Sequence, residues 1–392
     1  MPAGSEPLVL DIWSHVDPRF GGVGPAAAAL AEAAHVQSGW RFDQIAVCDK
    51  SESERSHNIP DSVQTIAARG PRPLIDAHLT RLLKNAISAC DICHVHGIWM
   101  PHCLAVRKLA LKLRKPIVSS AHGMLERWEL ANKKLKKQIY SHLFERPSLS
   151  HSACLRALSR QEAEDYRNFG LQNPMAIIPN GIDPLEPVDS SDLLSHHPEL
   201  RDKQVVLFLS RIHRKKGILN LISAWPDVLK RNRTAHLLIA GGDCANTEEV
   251  ARQMVAHYAL ANCVTFCGTL NGKLKLSALS HATAFCLPSY SEGMSMAVLE
   301  ALSVGLPVII TKACNVDGVA ESGSGYVISN DPETLSETVS ECLSLPSSTR
   351  AAMSDSARQL ARTRYNWSII GTAMRSVYQW LLGGPKPACV IS

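Results

Sequence analysis

Two glutamates, Glu292 and Glu300, are spaced so that both could act on one ligand. Glu292 follows an apolar run at 283–287 that is typical of a buried parallel strand, and Glu300 falls in a helix expected to begin near Ser295. About two helical turns separate the two residues, so both carboxylates can point the same way. We therefore expect a carboxylate pair at the exit of a strand.

The peptide groups between the glutamates favour an anion. Gly293 permits a close approach, and we expect the N–H groups of Met294 and Ser295 to be free at the start of the helix. Isolated glutamates in such positions are more often ordinary first-turn and solvated helix residues. The interpretation therefore depends on matching chemistry elsewhere in the chain.

That chemistry is present in the cationic segment SRIHRKKG at 210–217, which follows an apolar run at 205–209 and precedes a helical pattern. Arg211 and Lys216 would then lie on a strand-to-helix loop, at the sheet edge where open α/β folds bind ligands. Together with the expected anion site, these two cations predict a site for a diphosphate.

Five motifs follow one another along nearly the whole chain. They are the turn Gly21-Gly22-Val23-Gly24, His122-Gly123, the segment IPNGID at 178–183, Arg211 with Lys216-Gly217, and the pair Glu292 and Glu300. Each is weak alone, but in this order the set resembles the retaining glycosyltransferases of the GT-B fold, glycosyltransferase family 4. The resemblance implies an α/β fold with two Rossmann-like parallel-sheet domains that face each other across a cleft.

The resemblance also implies roles for the matching residues. Arg211 and Lys216 would neutralise the leaving diphosphate. Glu292 and His122 would lie beside the transferred sugar, and Glu300 would hold the ribose hydroxyls. The other expected donor contacts are Gly21, Gly22, Gly24, Leu270, Gly293, Met294 and Ser295, and the residues expected to line the acceptor side are His96 and Trp99.

The implied reaction is transfer of a sugar, with retention, from a UDP- or GDP-linked donor to a lipid-linked or saccharide acceptor. No cofactor is expected. Independence from a metal is predicted because Arg211, Lys216 and the helix N-terminus supply positive charge, and no acidic triplet stands out in the donor half.

Strand and helix patterns alternate twice, as in two parallel-sheet domains. Strands are predicted near 7–12, 45–48, 63–66, 91–98, 116–121, 153–158 and 175–178, and again near 204–210, 235–240, 263–267, 283–287, 307–311 and 325–328. The proline-containing segment 183–201 predicts the boundary. Members of the family return their last helix, here 367–382, to the first domain. The expected division is an acceptor domain of 1–185 plus 366–392 and a donor domain of 186–365.

Length and composition agree with this expectation. A chain of 392 residues exceeds one ordinary core, and 45% hydrophobic with 20% charged residues is typical of a soluble globular protein. We see no apolar run of the ~18 residues that a membrane span needs and no export signal. We therefore expect a cytoplasmic protein with reduced cysteines.

Basic residues concentrate in one region of the first domain. Residues 100–146 carry eleven Lys or Arg against three Glu, a net +8, whereas the whole chain carries +5. Leu135, Ile139 and Leu143 recur there at helical spacing, which predicts a basic amphipathic helix over 129–146. Two interpretations stay open: peripheral contact with an anionic membrane or a phosphate-bearing acceptor, or packing of the apolar face on its own domain. No nucleic acid is expected, because no recognition motif accompanies the charge.

Three shorter patterns are interpreted as carrying no function. Cys90-Asp91-Ile92-Cys93-His94 has the spacing of haem attachment, but it falls on a predicted buried strand. Metal binding by Cys93, His94 and His96 is not expected, because alternate strand residues face opposite sides. The last four residues, from Cys389, match a prenylation signal formally, and we interpret the match as coincidence.

Three other functions are consistent with part of the pattern. A non-catalytic scaffold subunit would share the fold but would not need the cations and glutamates. A GT-B epimerase would bind the same donor without an external acceptor. A nicotinamide dehydrogenase would need a full dinucleotide fingerprint, which Gly-Gly-Val-Gly does not supply.

Overall fold

The computed structural model of the protein describes residues 6–14, 22–36, 39–49, 63–68, 77–126 and 139–392. The chain divides into two compact units. The first comprises Met1–Gly181 and Trp367–Ser392, and the second is Ile182–Asn366. In the described residues, each unit is an α/β body around one sheet, with eight strands in the first and six in the second. The predicted fold class is confirmed.

The sheet of the first unit has the strand order β14-β7-β6-β5-β4-β1-β2-β3, and that of the second has the order β10-β9-β8-β11-β12-β13. The strands are β1 (Leu8–Ser14), β2 (Arg41–Asp49), β3 (Val63–Ala68), β4 (Ile92–His96), β5 (Ile117–Ser120), β6 (Cys154–Ala157), β7 (Met175–Ile177), β8 (Gln204–Leu209), β9 (Ala235–Ala240), β10 (Val264–Gly268), β11 (Ala284–Leu287), β12 (Val308–Thr311), β13 (Gly325–Ile328) and β14 (Val390–Ile391). The described pairs are parallel except that of β14 with β7, which is antiparallel. The two-residue β14 has no periodic pattern and was not predicted.

Helices connect and cover these strands. They are α1 (Val23–His35), α2 (Ala77–Ala89), α3 (Pro101–Lys112), α4 (Arg146–Leu149), α5 (Arg160–Asn168), α6 (Ser191–His196), α7 (Ile218–Arg231), α8 (Thr247–His257), α9 (Gly272–His281), α10 (Met296–Val304), α11 (Pro332–Ser344), α12 (Ser347–Arg364) and α13 (Trp367–Leu381). A π-helical turn, Ser141–Glu145, leads into α4.

The last helix, α13, packs on α1 in the first unit. Gly371 lies so close to α1 that a Cβ there would be 2.3 Å from the carbonyl oxygen of Ala33. Val377 and Tyr378 enter the core with Val9 and Leu30. A segment from the end of the chain therefore completes a core that begins at its first strand.

Central strands of both sheets are buried throughout. β4 and β5 in the first unit, and β9, β11 and β12 in the second, have no exposed residue. This burial is expected of parallel strands covered on both faces, and it explains why their sequences are mainly apolar. The chemistry-bearing residues follow the carboxyl ends of β4, β5, β8 and β11.

Candidate active site

Lys216 and Glu292 form a buried ion pair in the second unit. Lys216 ends the 3-10 turn Arg214–Lys216 after β8, and Glu292 lies on the loop after β11. The Lys216 Nζ lies 2.6 Å from each carboxylate oxygen of Glu292, and the two residues are only 8% and 9% exposed. Because an unpaired buried charge is strongly unfavourable, each group needs the other in this state.

Gly217 brings the two loops together. Its φ is +74°, and a Cβ would lie 2.0 Å from the carbonyl oxygen of Pro288. The N–H of Tyr290 and the hydroxyl of Ser289 both donate to the Lys215 carbonyl, at 2.8 and 3.1 Å. The glycine after Lys216 is therefore required for the approach that pairs this lysine with Glu292.

Two residues that the sequence analysis missed hold the Glu292 loop from the neighbouring strand. The Asn315 amide donates to the carbonyl oxygen of Glu292 and, at 3.3 Å, to that of Gly293. The Thr311 hydroxyl donates to the Ser289 carbonyl. Both residues lie at or just after the end of β12, which pairs with β11. The signal available in the sequence was that polar residues follow the apolar run that forms β12, next to β11.

The start of α10 differs from the prediction. The Ser295 N–H donates to the Cys314 carbonyl at 3.1 Å, so the expectation that it is free for an anion was wrong. Ser295 is 5% exposed, and a buried N–H must find a partner within the protein. The helix begins at Met296, and its first backbone bond runs from the Leu299 N–H to the Ser295 carbonyl. The N–H groups without an intrahelical partner at the start of α10 are therefore those of residues 296–298.

Glu300 has a separate partner. Its Oε1 accepts a hydrogen bond from the Lys275 Nζ on α9 at 2.7 Å, and the two side chains are 19% and 32% exposed. The carboxylates of Glu292 and Glu300 are thus held by two different lysines. Lys275 was not identified from the sequence, because nothing in its local pattern distinguishes it from a solvated helix residue.

The remaining donor-side predictions lie in the same unit. Arg211 lies two residues after β8 and is exposed, and within the described part of the chain no residue pairs with its guanidinium. Leu270 is buried two residues after β10. Gly293 is half-buried and Met294 is 9% exposed. Arg211 is therefore a cation still available to a ligand.

In the first unit, His122 has a strained backbone. It follows β5 with a φ of +54°, a value that residues other than glycine seldom adopt. The Ala121 N–H donates to the Tyr166 hydroxyl at 2.7 Å, and the Gly123 N–H donates to Glu162 Oε1 at 2.6 Å. These two buried side chains of α5 hold the backbone N–H groups of the residues before and after His122, as expected where surrounding structure maintains a strained conformation.

Behind His122 lies a chain of buried polar groups. His122 Nε2 is 3.0 Å from His96 Nδ1, and His96 Nε2 is 3.0 Å from Asp11 Oδ1. His96 is fully buried, so it lies beneath His122 and cannot itself form the wall of a pocket as the sequence analysis expected. The reason is its place on the central strand β4, covered by neighbours on both faces. Asp11 was not identified from the sequence.

His94 belongs to the same buried layer and connects it to the last helix. Its Nδ1 is 2.7 Å from the Tyr378 hydroxyl of α13, and its Nε2 is 2.8 Å from the Ser120 hydroxyl. Burial lowers the pKa of His94, His96 and His122 well below the usual range, with neighbouring positive groups adding to the effect. All three imidazoles are therefore neutral at pH 7.

Ligand atoms of Asp11, His94 and His96 lie within 4.8 Å of one another. The expectation that side chains of this strand cannot converge was wrong for the two histidines, because residues two apart face the same side of β4. Their ring centroids are 4.0 Å apart with the planes tilted by 31°, and the nitrogens near Asp11 already make hydrogen bonds. These nitrogens are therefore engaged with protein partners. Metal independence stays a prediction.

Trp99 follows β4 and is half-buried, with a φ of +71°. Its backbone N–H donates to Glu145 Oε1 at 3.1 Å, and its indole N–H donates to the Met124 carbonyl at 3.2 Å. Glu145 is fully buried and pairs with Arg107 at 2.7 Å. The π-helical turn that carries Glu145 is thereby attached to the Trp99 loop.

The glycine-rich turn is described in part. Gly22 is the exposed N-cap of α1 with a φ of −88°, and among the described residues a Cβ there would meet nothing within 4 Å. Gly24 is buried in the first turn of α1, and Gly21 lies outside the described residues. The space at Gly22 is therefore open on its own unit.

The predicted basic helix over 129–146 is also described in part, and its lysines lie outside the described residues. Ile139, Leu143 and Phe144 are 55%, 59% and 43% exposed. Within the described residues, Ile139 and Leu143 are therefore not packed on their own unit, which for these two residues contradicts the interpretation that the apolar face packs on its own domain. Among the helices of the described ranges, none has both the length and the apolar character needed to cross a membrane.

Comparisons with known proteins agree with this arrangement. Residues 20–185 match the family model described as Glycosyltransferase Family 4, and residues 192–360 match that described as Glycosyl transferases group 1. A phosphatidyl-myo-inositol mannosyltransferase of Mycobacterium tuberculosis is 25% identical over 316 residues, covering 77% of each chain. The GDP-mannose:cellobiosyl-diphosphopolyprenol alpha-mannosyltransferase of Xanthomonas oryzae is 24% identical over 304 residues, again with 77% of each chain covered.

Solved structures give the same result for the fold. HepE of Anabaena, in complex with UDP and glucose, is similar with a TM-score of 0.74 at 17% identity, covering 96% of this chain and all of that one. WaaG, a glycosyltransferase involved in lipopolysaccharide biosynthesis, is similar with a TM-score of 0.69 at 17% identity, with the same coverage. The two parallel-sheet units and the two family models in chain order show that the protein has the GT-B fold and belongs to glycosyltransferase family 4.

Proposed function

We propose that the protein is a retaining hexosyltransferase that uses a UDP- or GDP-linked sugar and needs no metal. The observation that carries the proposal is the buried pairing of Lys216 with Glu292, beside the exposed Arg211 that follows the same strand. Two cations and the first turn of α10 would together meet the negative charge that grows on a departing diphosphate. This positive charge supports the metal-independent part of the proposal.

The ion pair also suggests how the donor is received. A diphosphate would compete with Glu292 for the Lys216 ammonium, and the freed carboxylate would then face the sugar. Glu300, which pairs with the partly exposed Lys275, would exchange that contact for the ribose hydroxyls. His122, held in its strained conformation by the first unit, would act on the sugar. We infer retention and direct transfer from the family alone.

The names of relatives support a range of donors and acceptors rather than one. One relative is named for GDP-mannose and diphosphopolyprenol, another for phosphatidyl-myo-inositol, and HepE was crystallised with UDP and glucose. We propose a lipid-linked or saccharide acceptor, with the exposed Ile139, Leu143 and Phe144 touching the cytoplasmic face of a membrane. Flotation with vesicles containing anionic lipid tests this: equal flotation of wild type and a variant with all three residues changed to Ser would contradict it.

Release of nucleoside diphosphate from a panel of UDP-, GDP- and ADP-sugars tests the main proposal. We expect turnover of at least one donor, its loss in Glu292→Gln, and little change in Glu248→Gln. The control glutamate pairs with Arg252 on α8, and Arg252 is 55% exposed at its side chain. NMR of the product's anomeric proton reports retention, and EDTA reports any need for a metal.

Three outcomes would contradict the proposal. No turnover and no binding with any donor would remove the nucleotide-sugar site. Binding without turnover would favour the scaffold function. Conversion of one nucleotide sugar into another, without an acceptor, would identify an epimerase.

A further inference from the structure

The hydrogen-bonded side chains of Asp11, His96 and His122 connect a buried carboxylate to a half-buried imidazole. Asp11 is 1% exposed and His96 is fully buried, whereas His122 is partly accessible. The contacts of His96 with Asp11 and with His122 are both 3.0 Å long. The second nitrogen of His122, Nδ1, makes no hydrogen bond with any residue in the described ranges. It is therefore the end of this hydrogen-bonded row that can accept a further partner.

Only two arrangements of protons satisfy both contacts. Each imidazole is neutral and carries one N–H, because burial opposes the charged form. If Asp11 is a carboxylate, His96 donates through Nε2 and accepts at Nδ1, and His122 donates through Nε2 and presents a bare lone pair at Nδ1. If Asp11 carries a proton on Oδ1, every donor and acceptor reverses, and His122 presents an Nδ1–H.

The surroundings favour the first arrangement. The separation of 3.0 Å between His96 Nε2 and Asp11 Oδ1 is the usual length of an N–H···O bond and is long for an O–H donor. Burial raises the pKa of Asp11 well above its usual range and the Arg156 guanidinium offsets only part of that rise, so the hydrogen-bond geometry carries the choice. Arg156 is fully buried, its own hydrogen bonds go to neutral oxygens, and Glu162 and Asp11 are the acidic groups that act on its charge.

The backbone of His122 is fixed separately from its ring. Tyr166 and Glu162 hold the backbone N–H groups of the residues before and after it, and this sets where the side chain begins. Neither of these bonds decides which ring nitrogen carries the proton. In the described structure that choice is left to His96, the ring's hydrogen-bonding partner.

We propose that Asp11 and His96 are positioning residues that keep His122 in its Nε2–H tautomer, so that Nδ1 accepts a hydrogen bond from a hydroxyl group of the substrate. The role in turnover rests on the proposed function, since it needs a sugar hydroxyl beside His122. The tautomer itself does not, and it is measurable in the protein without substrate. A ring free to exchange tautomers would present an N–H to the hydroxyl in part of the molecules.

Long-range ¹H–¹⁵N spectra of the full-length protein, labelled at histidine, report the tautomers directly. His96→Gln and His122→Gln assign the two residues by loss of their signals. We expect both rings to be neutral with the proton on Nε2. An Nδ1–H pattern, a charged ring or exchange averaging at either residue would overturn the proposal.

Asp11→Asn replaces a carboxylate, which can only accept a hydrogen bond from His96, with an amide, which can also donate one. We expect the Nδ1–H form of His122 to become populated. If only about a tenth of the molecules keep the original tautomer, kcat falls about tenfold while the donor KM changes by less than about twofold. The matched control is Asp91→Asn, just before β4, where the carboxylate accepts the Leu8 N–H at 2.9 Å. It should leave the histidine spectra and kcat unchanged.

The two proposals fail differently. If wild type turns over no nucleotide sugar, the proposed function fails, and the spectra still decide the tautomer. If wild type is active and Asp11→Asn shows unchanged tautomers or unchanged kcat, the positioning role is wrong.

Discussion

Removing the Lys216 ammonium should strongly destabilise the second unit. Lys216→Met keeps the apolar stem and leaves Glu292, 9% exposed, without the two 2.6 Å bonds that it makes to the ammonium. Removing one partner of a buried ion pair costs about 3–5 kcal/mol. The two side chains are only 10% and 11% exposed, so solvent screens the remaining charge weakly. For a unit of this size, the loss corresponds to a fall in Tm of roughly 6–20 °C.

The chain contains a matched control for this change. Lys275 pairs with Glu300 at the similar distance of 2.7 Å, but these side chains are 32% and 19% exposed. Lys275→Met should therefore cost about 0–1 kcal/mol, because water takes over the solvation of Glu300. A double variant of Lys216→Met with Glu292→Gln should regain most of the lost stability, since no charge remains buried.

Differential scanning calorimetry at pH 7, with urea unfolding as a second measure, gives the three stabilities. Equal losses for Lys216→Met and Lys275→Met would refute the reasoning, because burial would then not distinguish the pairs. So would a double variant no more stable than Lys216→Met alone, since Glu292 would then not be the group left unsatisfied.

Three further changes have defined outcomes. Gly217→Ala should lower the free energy of unfolding by about 2–5 kcal/mol in urea, because it combines a positive φ with a clash against the Pro288 carbonyl. The control Gly272→Ala, with a φ of +50° and open space, should lower it by only about 1–2 kcal/mol. Arg211→Gln should change stability by less than about 0.5 kcal/mol and weaken UDP or GDP binding about tenfold to a hundredfold in titration calorimetry; unchanged binding would remove Arg211 from the site. Burial raises the pKa of Glu162 from 4.5 to about 7, so its contribution to stability is fully present below pH 4.5 and is lost as the pH rises through about 7. Wild type should therefore lose about 3 kcal/mol relative to Glu162→Gln between pH 4.5 and 7.5 in urea unfolding, and parallel pH profiles would contradict this.

The fold was predictable from the sequence to a large extent, and physical reasons explain why. Buried parallel strands are short apolar runs bounded by polar loops, and both sheets consist mainly of such strands. The loops that carry Arg211, Lys216 and Glu292 could be placed because each directly follows a run of this kind. β14 could not be predicted, because it is a strand only through its pairing with β7.

The pairing of side chains was much less predictable than their location. The bond between Lys216 and Glu292 joins residues 76 apart and depends on a backbone contact between Gly217 and Pro288. The Ser295 N–H was expected to be free because its partner, Cys314, comes from another strand's loop. A pattern within one strand, loop or helix does not show which residue from elsewhere in the chain will pair with it.

The histidines of β4 show a different kind of error. Alternation along β4 separates Cys93 from His94 and His96, but it does not separate the two histidines from each other. Applied residue by residue, it would have placed both histidines on one face. Asp11 would still have been missed, because the order of β1 beside β4 is a property of the sheet and not of either strand.

The bond between His94 and Tyr378 spans 284 residues, and this has a consequence for synthesis on the ribosome. The nascent second unit is continuous in the chain and can close as soon as residue 366 has emerged. The earlier-made unit must wait with an open core until α13 leaves the exit tunnel. The first unit is therefore translated first but completes its core last. During that interval its exposed apolar surface is available to a chaperone.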